Sequence, residues 1–480
     1  MWTTLAWGSN RVVVLALTLL LARLLTPEDF GLVTAALTII AMFDAALDLG
    51  VGAAVVAAQE RGVSRRTRTA LTLNIGLSAL IAGVGAALSP LVAALFDARD
   101  HTWLFALIFL YPLFRGAGQV NDAVLKRDLL FRRRTVVDLT RAGVRVVVSL
   151  SLALTVGGPV SIAAGIVASE LVAMVLLWSL VPIRPVRSMT RADVRELLGF
   201  GGQVTVIRVL GSFRSTFDYL VVGAAISATA LGYYGMAYKL PELGIENVLW
   251  IFSAVALSAY ARARLEGEEA LFSAMLRATR LLSLYGLAVG VTLAVLARDA
   301  VPVLFSPTWE PAVLPMVLIS LSLGLMSVGW ASGDVFTALG RPGTLVLLDL
   351  PATALMAGLF LLAPRYGLVG VAAVHLVFNA VYCLARLVLL QRVTRVGGRR
   401  LLGAVAPGFA VAVPTAAVGF GIQHLLPAGE LLSLVVLGLV CAVVVVSVSW
   451  LVARSSVLEA LHAVLPARAA PAGPSPEATS

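Results

Sequence analysis

Arg11, Arg141, Arg145, Arg208 and Arg214 all stand inside long apolar runs of this chain. A guanidinium stays charged under all ordinary conditions and grips phosphate or carboxylate with two parallel hydrogen bonds. Placing such a charge in a bilayer is costly, so it must meet a partner or line a water-filled cavity. Arg214 is the deepest: midway along an apolar run at 202–226, it lies about 18 Å from either end at 1.5 Å per residue. Arg208 lies nearer one end, and Arg11 either lines a cavity or reaches the headgroups. Arg141 and Arg145 are spaced i, i+4 and share one helix face. Arg23, two residues from its helix end, is expected to snorkel. A cavity lined in this way would take an anion, a phosphate or diphosphate, in preference to a cation. The alternative is internal: the arginines neutralise Asp44, Asp48, Asp218 and Glu246 within the bundle.

The acids form a second set. "FDAALDLG" carries Asp44 and Asp48, and "PELGIE" carries Glu242 and Glu246, each pair at i, i+4. Together with Asp218 they are candidates for taking up and releasing a coupling ion, or else they are fixed partners of arginine. Pro241 removes a backbone donor and is a hinge candidate. His375 is expected to be a hydrogen-bonded packing residue, and Trp250, Trp309 and Trp330 ordinary interface or packing aromatics. Cys383 and Cys441 lie in apolar runs, so neither a disulfide nor a metal site is expected. No phosphate-binding loop, catalytic triad or metal motif is present, and no cofactor is implied.

What must position these residues is a membrane bundle. Of the 480 residues 60% are hydrophobic and 13% charged, and the mean hydropathy is +0.96. A soluble chain of that length cannot hide so much apolar surface, and runs of about 20 such residues span a bilayer. The pattern predicts an all-α integral membrane protein with about fourteen transmembrane helices. The net charge of +10 does not indicate nucleic acid, because the basic residues crowd into alternate loops. "QERGVSRRTR", "KRDLLFRRR", "IRPVRSMTRADVRE" and "QRVTRVGGRR" alternate with loops holding only Arg99, Arg298 and Arg365. The positive-inside rule then puts both termini in the cytoplasm. The first apolar run is expected to be a retained helix and not a signal peptide.

The chain also repeats itself. "GSNR" at 8–11 and "GSFR" at 211–214 each precede a break that closes on a glycine, Gly31 or Gly232, and each is followed by an acid pair. Six helices between the two starts give the halves one orientation, as in parallel-repeat transporters. The expected organisation is a six-helix lobe at 1–182, an amphipathic cytoplasmic linker at 183–200 and a second six-helix lobe at 201–390. A pseudo-twofold axis along the membrane normal relates the lobes. Two further helices occupy 391–453, and a cytoplasmic tail at 454–480 is disordered from about 466.

Two stretches resemble a known family. "LARLLTPEDFGLVTAALTIIAMFDAALDLGVGAAVVAAQ" is similar to the N-terminal signature of bacterial polysaccharide and oligosaccharide flippases of the Wzx-like kind, through Leu25, Pro27, Phe30, Gly31, Asp48, Leu49 and Gly50. "ALGYYGMAYKLPEL" resembles the family's eighth helix, through Gly232, Tyr233, Ala237 and Pro241. The resemblance implies the multidrug/oligosaccharidyl-lipid/polysaccharide exporter superfamily and alternating access in a bacterial cytoplasmic membrane. It implies a lipid-linked oligosaccharide on undecaprenyl diphosphate as substrate, with membrane lipids and polysaccharide assembly proteins as partners. The alternatives are a cation-coupled multidrug exporter, a lipid II flippase and, from another class, a membrane polysaccharide polymerase.

Overall fold

The structure is a computed structural model and describes residues 2–47, 64–186 and 211–464. Every regular element among them is helical. α1 (Trp2–Leu24) and α2 (Pro27–Leu47) precede α3 (Arg65–Leu95), α4 (Thr102–Ile108), α5 (Leu110–Arg127), α6 (Phe131–Thr155) and α7 (Val160–Leu180). α8 runs over 211–225 and α9 over Ala228–Pro241. A π-helical turn, Glu242–Glu246, joins α9 to α10 (Asn247–Glu266). α11 (Glu268–Leu304), α12 (Val313–Ala338), α13 (Pro342–Leu362), α14 (Gly367–Thr394), α15 (Gly398–Gln423) and α16 (Leu431–Val464) complete the chain. Asp48, Arg208 and most of the expected linker lie outside the described residues.

Among the described residues, nine helical stretches are long and apolar enough to cross a membrane. The protein is thus an all-helical, multi-pass membrane protein. α6 is not one of the nine, because Arg132, Arg133, Arg134, Asp138, Arg141 and Arg145 lie along it. A helix of that composition is stable in a membrane protein only if its neighbours or water satisfy its charges.

The helix starts follow from local chemistry. Thr26 caps α2: Asp29 N donates to Thr26 Oγ1 at 3.2 Å, and Asp29 Oδ2 accepts from Thr26 N at 2.9 Å. That is a reciprocal capping box with Pro27 at the first helical position, where its missing N–H costs nothing. Ser227 caps α9 in the same way, its Oγ accepting from Ala230 N at 3.0 Å. Ser64 caps α3 through Thr67 N.

The chain divides into two compact units. One comprises the described parts of 1–237, 300–315 and 353–374, the other those of 238–299, 316–352 and 375–480. In the first, α3, α5 and α7 enclose a core of Leu71, Val120, Val124, Leu125, Ala173 and Leu177. Small residues allow the close approach: a Cβ on Gly118 would press on Leu177, and one on Gly165 would strike Ser149. Buried amides tie the helices to one another's backbone. Asn74 Nδ2 donates to Gly116 O at 2.9 Å and Asn121 Nδ2 to Val181 O at 2.7 Å. In the second unit, α11, α12, α14, α15 and α16 share a core of Leu287, Val291, Val328, Cys383, Val405, Leu437 and Cys441. Both cysteines are buried free thiols.

Candidate functional site

Gly157 and Gly158 both adopt φ of +70°, the left-handed region that glycine enters without strain, and so turn α6 back onto α7. Gly165 and Ser149 bring the two helices close together. Further along the pair, Arg141 and Arg145 of α6 come level with Glu170 of α7. Glu170 is the middle residue of its helix, about 15 Å from either end, and its side chain is only 7% exposed.

Glu170 is held by arginine from two sides. Arg141 Nε lies 3.1 Å from its Oε1, and Arg115 of α5 places a guanidinium nitrogen 3.6 Å from the same oxygen. Arg145 stands within electrostatic reach of Glu170, Arg141 and Tyr111 and makes no direct ion pair among the described residues. Arg115 also lies over the Tyr111 ring, 5.7 Å from its centroid. Its side chain is 40% exposed. A guanidinium so far along a spanning helix, and that open, requires water beside it.

This cluster ends a chain of alternating charges. Lys126 Nζ lies 2.7 Å from Asp122 Oδ2, and Arg134 Nε 2.9 Å from Asp122 Oδ1. Arg134 reaches Asp138 at 3.8 Å, and Arg141 reaches the same carboxylate at 3.1 Å. The ladder reads Lys126, Asp122, Arg134, Asp138, Arg141, Glu170, Arg115. It starts at the α5–α6 loop and climbs about 10 Å, a third of a bilayer core. Its inner end is unbalanced: Arg115, Arg141 and Arg145 surround one carboxylate. Arg115 and Glu170 were not picked out by sequence reasoning, although each is a charge inside an apolar run, the same signal that marks Arg141.

The other expected site residues are placed as follows. Arg11 and Asp44 sit on the backbones of α1 and α2, and Arg214 lies on α8, partly buried. Asp218 is 3% exposed and accepts from the Tyr234 hydroxyl at 2.8 Å. Glu242 opens the π turn, 3.9 Å from Lys239 Nζ. Glu246 closes it and accepts from Trp250 Nε1 at 3.5 Å. Pro241 is the last residue of α9 before the turn. The Tyr285 hydroxyl donates to Gly244 O inside it. His375 pairs with the Tyr238 hydroxyl, and Asp334 accepts from Ser253 at 2.8 Å.

Arg23 differs from the snorkelling residue expected: it donates to the carbonyls of Val303 and Leu304. Those carbonyls end α11 and lack partners within the helix, and a cation is favoured there by the helix dipole. Beside it Trp309, fully buried, donates from Nε1 to Ala22 O at 2.8 Å. Its ring meets Phe30 edge-on at 5.2 Å and Tyr233 at 6.0 Å.

Comparison with known proteins agrees with this arrangement. The teichuronic acid biosynthesis protein TuaB of Bacillus subtilis (strain 168) is 22% identical over 78% of this chain and 78% of its own length. The lipopolysaccharide biosynthesis protein WzxC of Escherichia coli (strain K12) is 25% identical over 67% of this chain and 65% of its own. The succinoglycan biosynthesis transport protein ExoT of Rhizobium meliloti (strain 1021) is 24% identical over 64% and 62%. Among solved structures, the lipid II flippase MurJ in an inward closed conformation superposes with a TM-score of 0.76, covering 95% of this chain and 99% of that one at 13% identity. An inward-facing multidrug resistance MATE family transporter of the MOP superfamily gives 0.65 at 18% identity, covering 80% and 94%. These likenesses establish the fold. Residues 20–314 match the polysaccharide biosynthesis protein family, so the chain belongs to that family, a family of membrane transporters and not of enzymes.

Proposed function

We propose that the protein is a flippase, moving an oligosaccharide on undecaprenyl diphosphate from the inner to the outer leaflet of a bacterial cytoplasmic membrane. The observation that carries this reading is the excess of arginine around Glu170, midway along spanning helices. Such an excess is expensive in a membrane unless an anion repays it. The names of the relatives, which concern teichuronic acid, lipopolysaccharide and succinoglycan, support a polysaccharide precursor as that anion.

In this reading the lobes at 1–182 and 201–390 are the two halves of an alternating-access transporter of about fourteen helices. The helices at 391–453 lie outside the repeat. The basic loops and both termini face the cytoplasm, so the charge ladder begins at the cytoplasmic mouth. The arginines hold the diphosphate, the sugars cross in water, and the prenyl chain stays in lipid. Polysaccharide assembly proteins take over the product at the outer leaflet.

The test is deletion of the gene in its host, with the lipid-linked glycan measured in each leaflet. Accumulation in the inner leaflet, reversed by the wild-type gene, is the expected result. Unchanged surface glycan together with a shifted drug-resistance panel would overturn the reading in favour of a multidrug exporter.

A further inference from the structure

We propose that Glu170 is an internal counter-ion which yields its arginines to the substrate's diphosphate and reclaims them on release. The inference rests on the flippase reading above and assigns this site its ligand chemistry, a diphosphate esterified at both ends.

The geometry around Glu170 is that of a provisional partner. Arg141 and Arg115 approach the same oxygen, Oε1, at 3.1 and 3.6 Å. Neither guanidinium receives the two-pronged contact that a carboxylate gives a single arginine. Arg141 Nε, though close, is not aligned for a hydrogen bond. A diphosphate presents enough oxygens to give each guanidinium its own pair.

The charges also match. Arg115, Arg141 and Arg145 against Glu170 leave two positive charges, and a diphosphate esterified at both ends carries two negative ones. With the ligand in place the cluster is neutral, and without it Glu170 lowers the cost of the empty site. A merely structural acid would be expected to balance its arginines, as Asp122 balances Lys126 further down the ladder. The ladder gives the diphosphate a route inward: Arg134 and Arg141 share Asp138, so each arginine is already poised between two carboxylates. Moving from one anion to the next costs little when the old partner is not abandoned before the new one arrives.

The experiment uses the full chain in lipid nanodiscs and measures binding of three probes by calorimetry: inorganic diphosphate, inorganic phosphate and farnesyl diphosphate. Wild type is compared with Glu170→Gln, Glu170→Asp and Arg145→Gln, each checked for folding by thermal unfolding and monodispersity. The expected result is that Glu170→Gln tightens both diphosphates about tenfold, Arg145→Gln weakens them by at least as much, and Glu170→Asp stays near wild type. Phosphate should bind weakly throughout. Farnesyl diphosphate binding well above inorganic diphosphate would identify a lipid-borne group as the ligand, and equal binding would identify the free anion. If Glu170→Gln binds no tighter while remaining folded, or weakens as Arg145→Gln does, Glu170 is structural and the proposal is overturned. That leaves the flippase reading standing, since the leaflet measurement tests it separately. No diphosphate binding to any folded variant overturns the site itself. Should Glu170→Gln not fold, Glu170→Asp decides: its shorter carboxylate releases the arginines, so weaker binding than wild type would sink the idea.

Discussion

Gly31 and Gly232 occupy each other's shadow. A Cβ on Gly31 would collide with the carbonyl of Ala228, and a Cβ on Gly232 with the carbonyl of Pro27. Each glycine lies five residues beyond a helix cap, Thr26 or Ser227, and each meets the first helical residue of the other element. The contact is backbone against backbone, so no side chain can move aside to accommodate a substitution.

Gly31→Ala and Gly232→Ala are therefore expected to destabilise this arrangement by about 1–3 kcal/mol each, the usual cost of overpacking. Thermal unfolding in detergent measures the loss, and glycan export should fall with it. Unchanged melting and export for both variants would mean that the contact does not form in the membrane.

Trp309 fills the space beside that contact. Trp309→Phe keeps an aromatic ring but leaves Ala22 O without its donor, a loss of about 1–3 kcal/mol. Trp309→Ala, which also opens a cavity, should cost about 3–5 kcal/mol. Equal melting temperatures for the two variants would contradict the hydrogen-bonding role.

Arg141 and Arg145 should separate stability from transport. Arg141→Ala abandons Asp138 and Glu170 together and is expected to cost about 3–5 kcal/mol. Arg145→Ala breaks no direct ion pair, so its melting temperature should stay near wild type while export falls at least tenfold. Export equal to wild type in Arg145→Ala, at equal expression, would remove that residue from the substrate path.

Arg214 tests the expectation taken from the sequence. Arg214→Ala is expected to abolish complementation of glycan export. Arg400→Ala, which removes an exposed pair with Glu269, should cost less than about 1 kcal/mol and leave export intact. Equal export by the two variants would place Arg214 outside the binding machinery.

Much of the fold was legible because apolar length and loop charge are local properties. The break closing on Gly31 and its counterpart closing on Gly232 are visible as strings, and their capping chemistry proved equivalent atom for atom. The arginines in those strings are less alike. Arg11 stands 15 residues before Thr26, and Arg214 stands 13 before Ser227. On helices aligned by their caps they are two residues, about 200°, apart in direction. Arg141 and Arg145 could be found by spacing within one helix. The partners that define their environment come from α5 and α7, and the sequence does not say which faces three helices turn to one another. Arg23 was misread for the same reason: its acceptors lie some 280 residues away.

The π turn at Glu242–Glu246 bears on the acid pairs of the repeat. Asp44 follows Gly31 by 13 residues, whereas Glu246 follows Gly232 by 14. A turn closed by an i to i+5 bond takes up one residue more than an α turn, which accounts for the difference. That residue is slack held inside an otherwise taut rod. Passed along the rod one hydrogen bond at a time, it would turn the stretch it crosses by about 100° without unfolding it. Trp250 and Ser253 lie just beyond, so a helix that looks rigid holds within it the means to re-aim its own side chains.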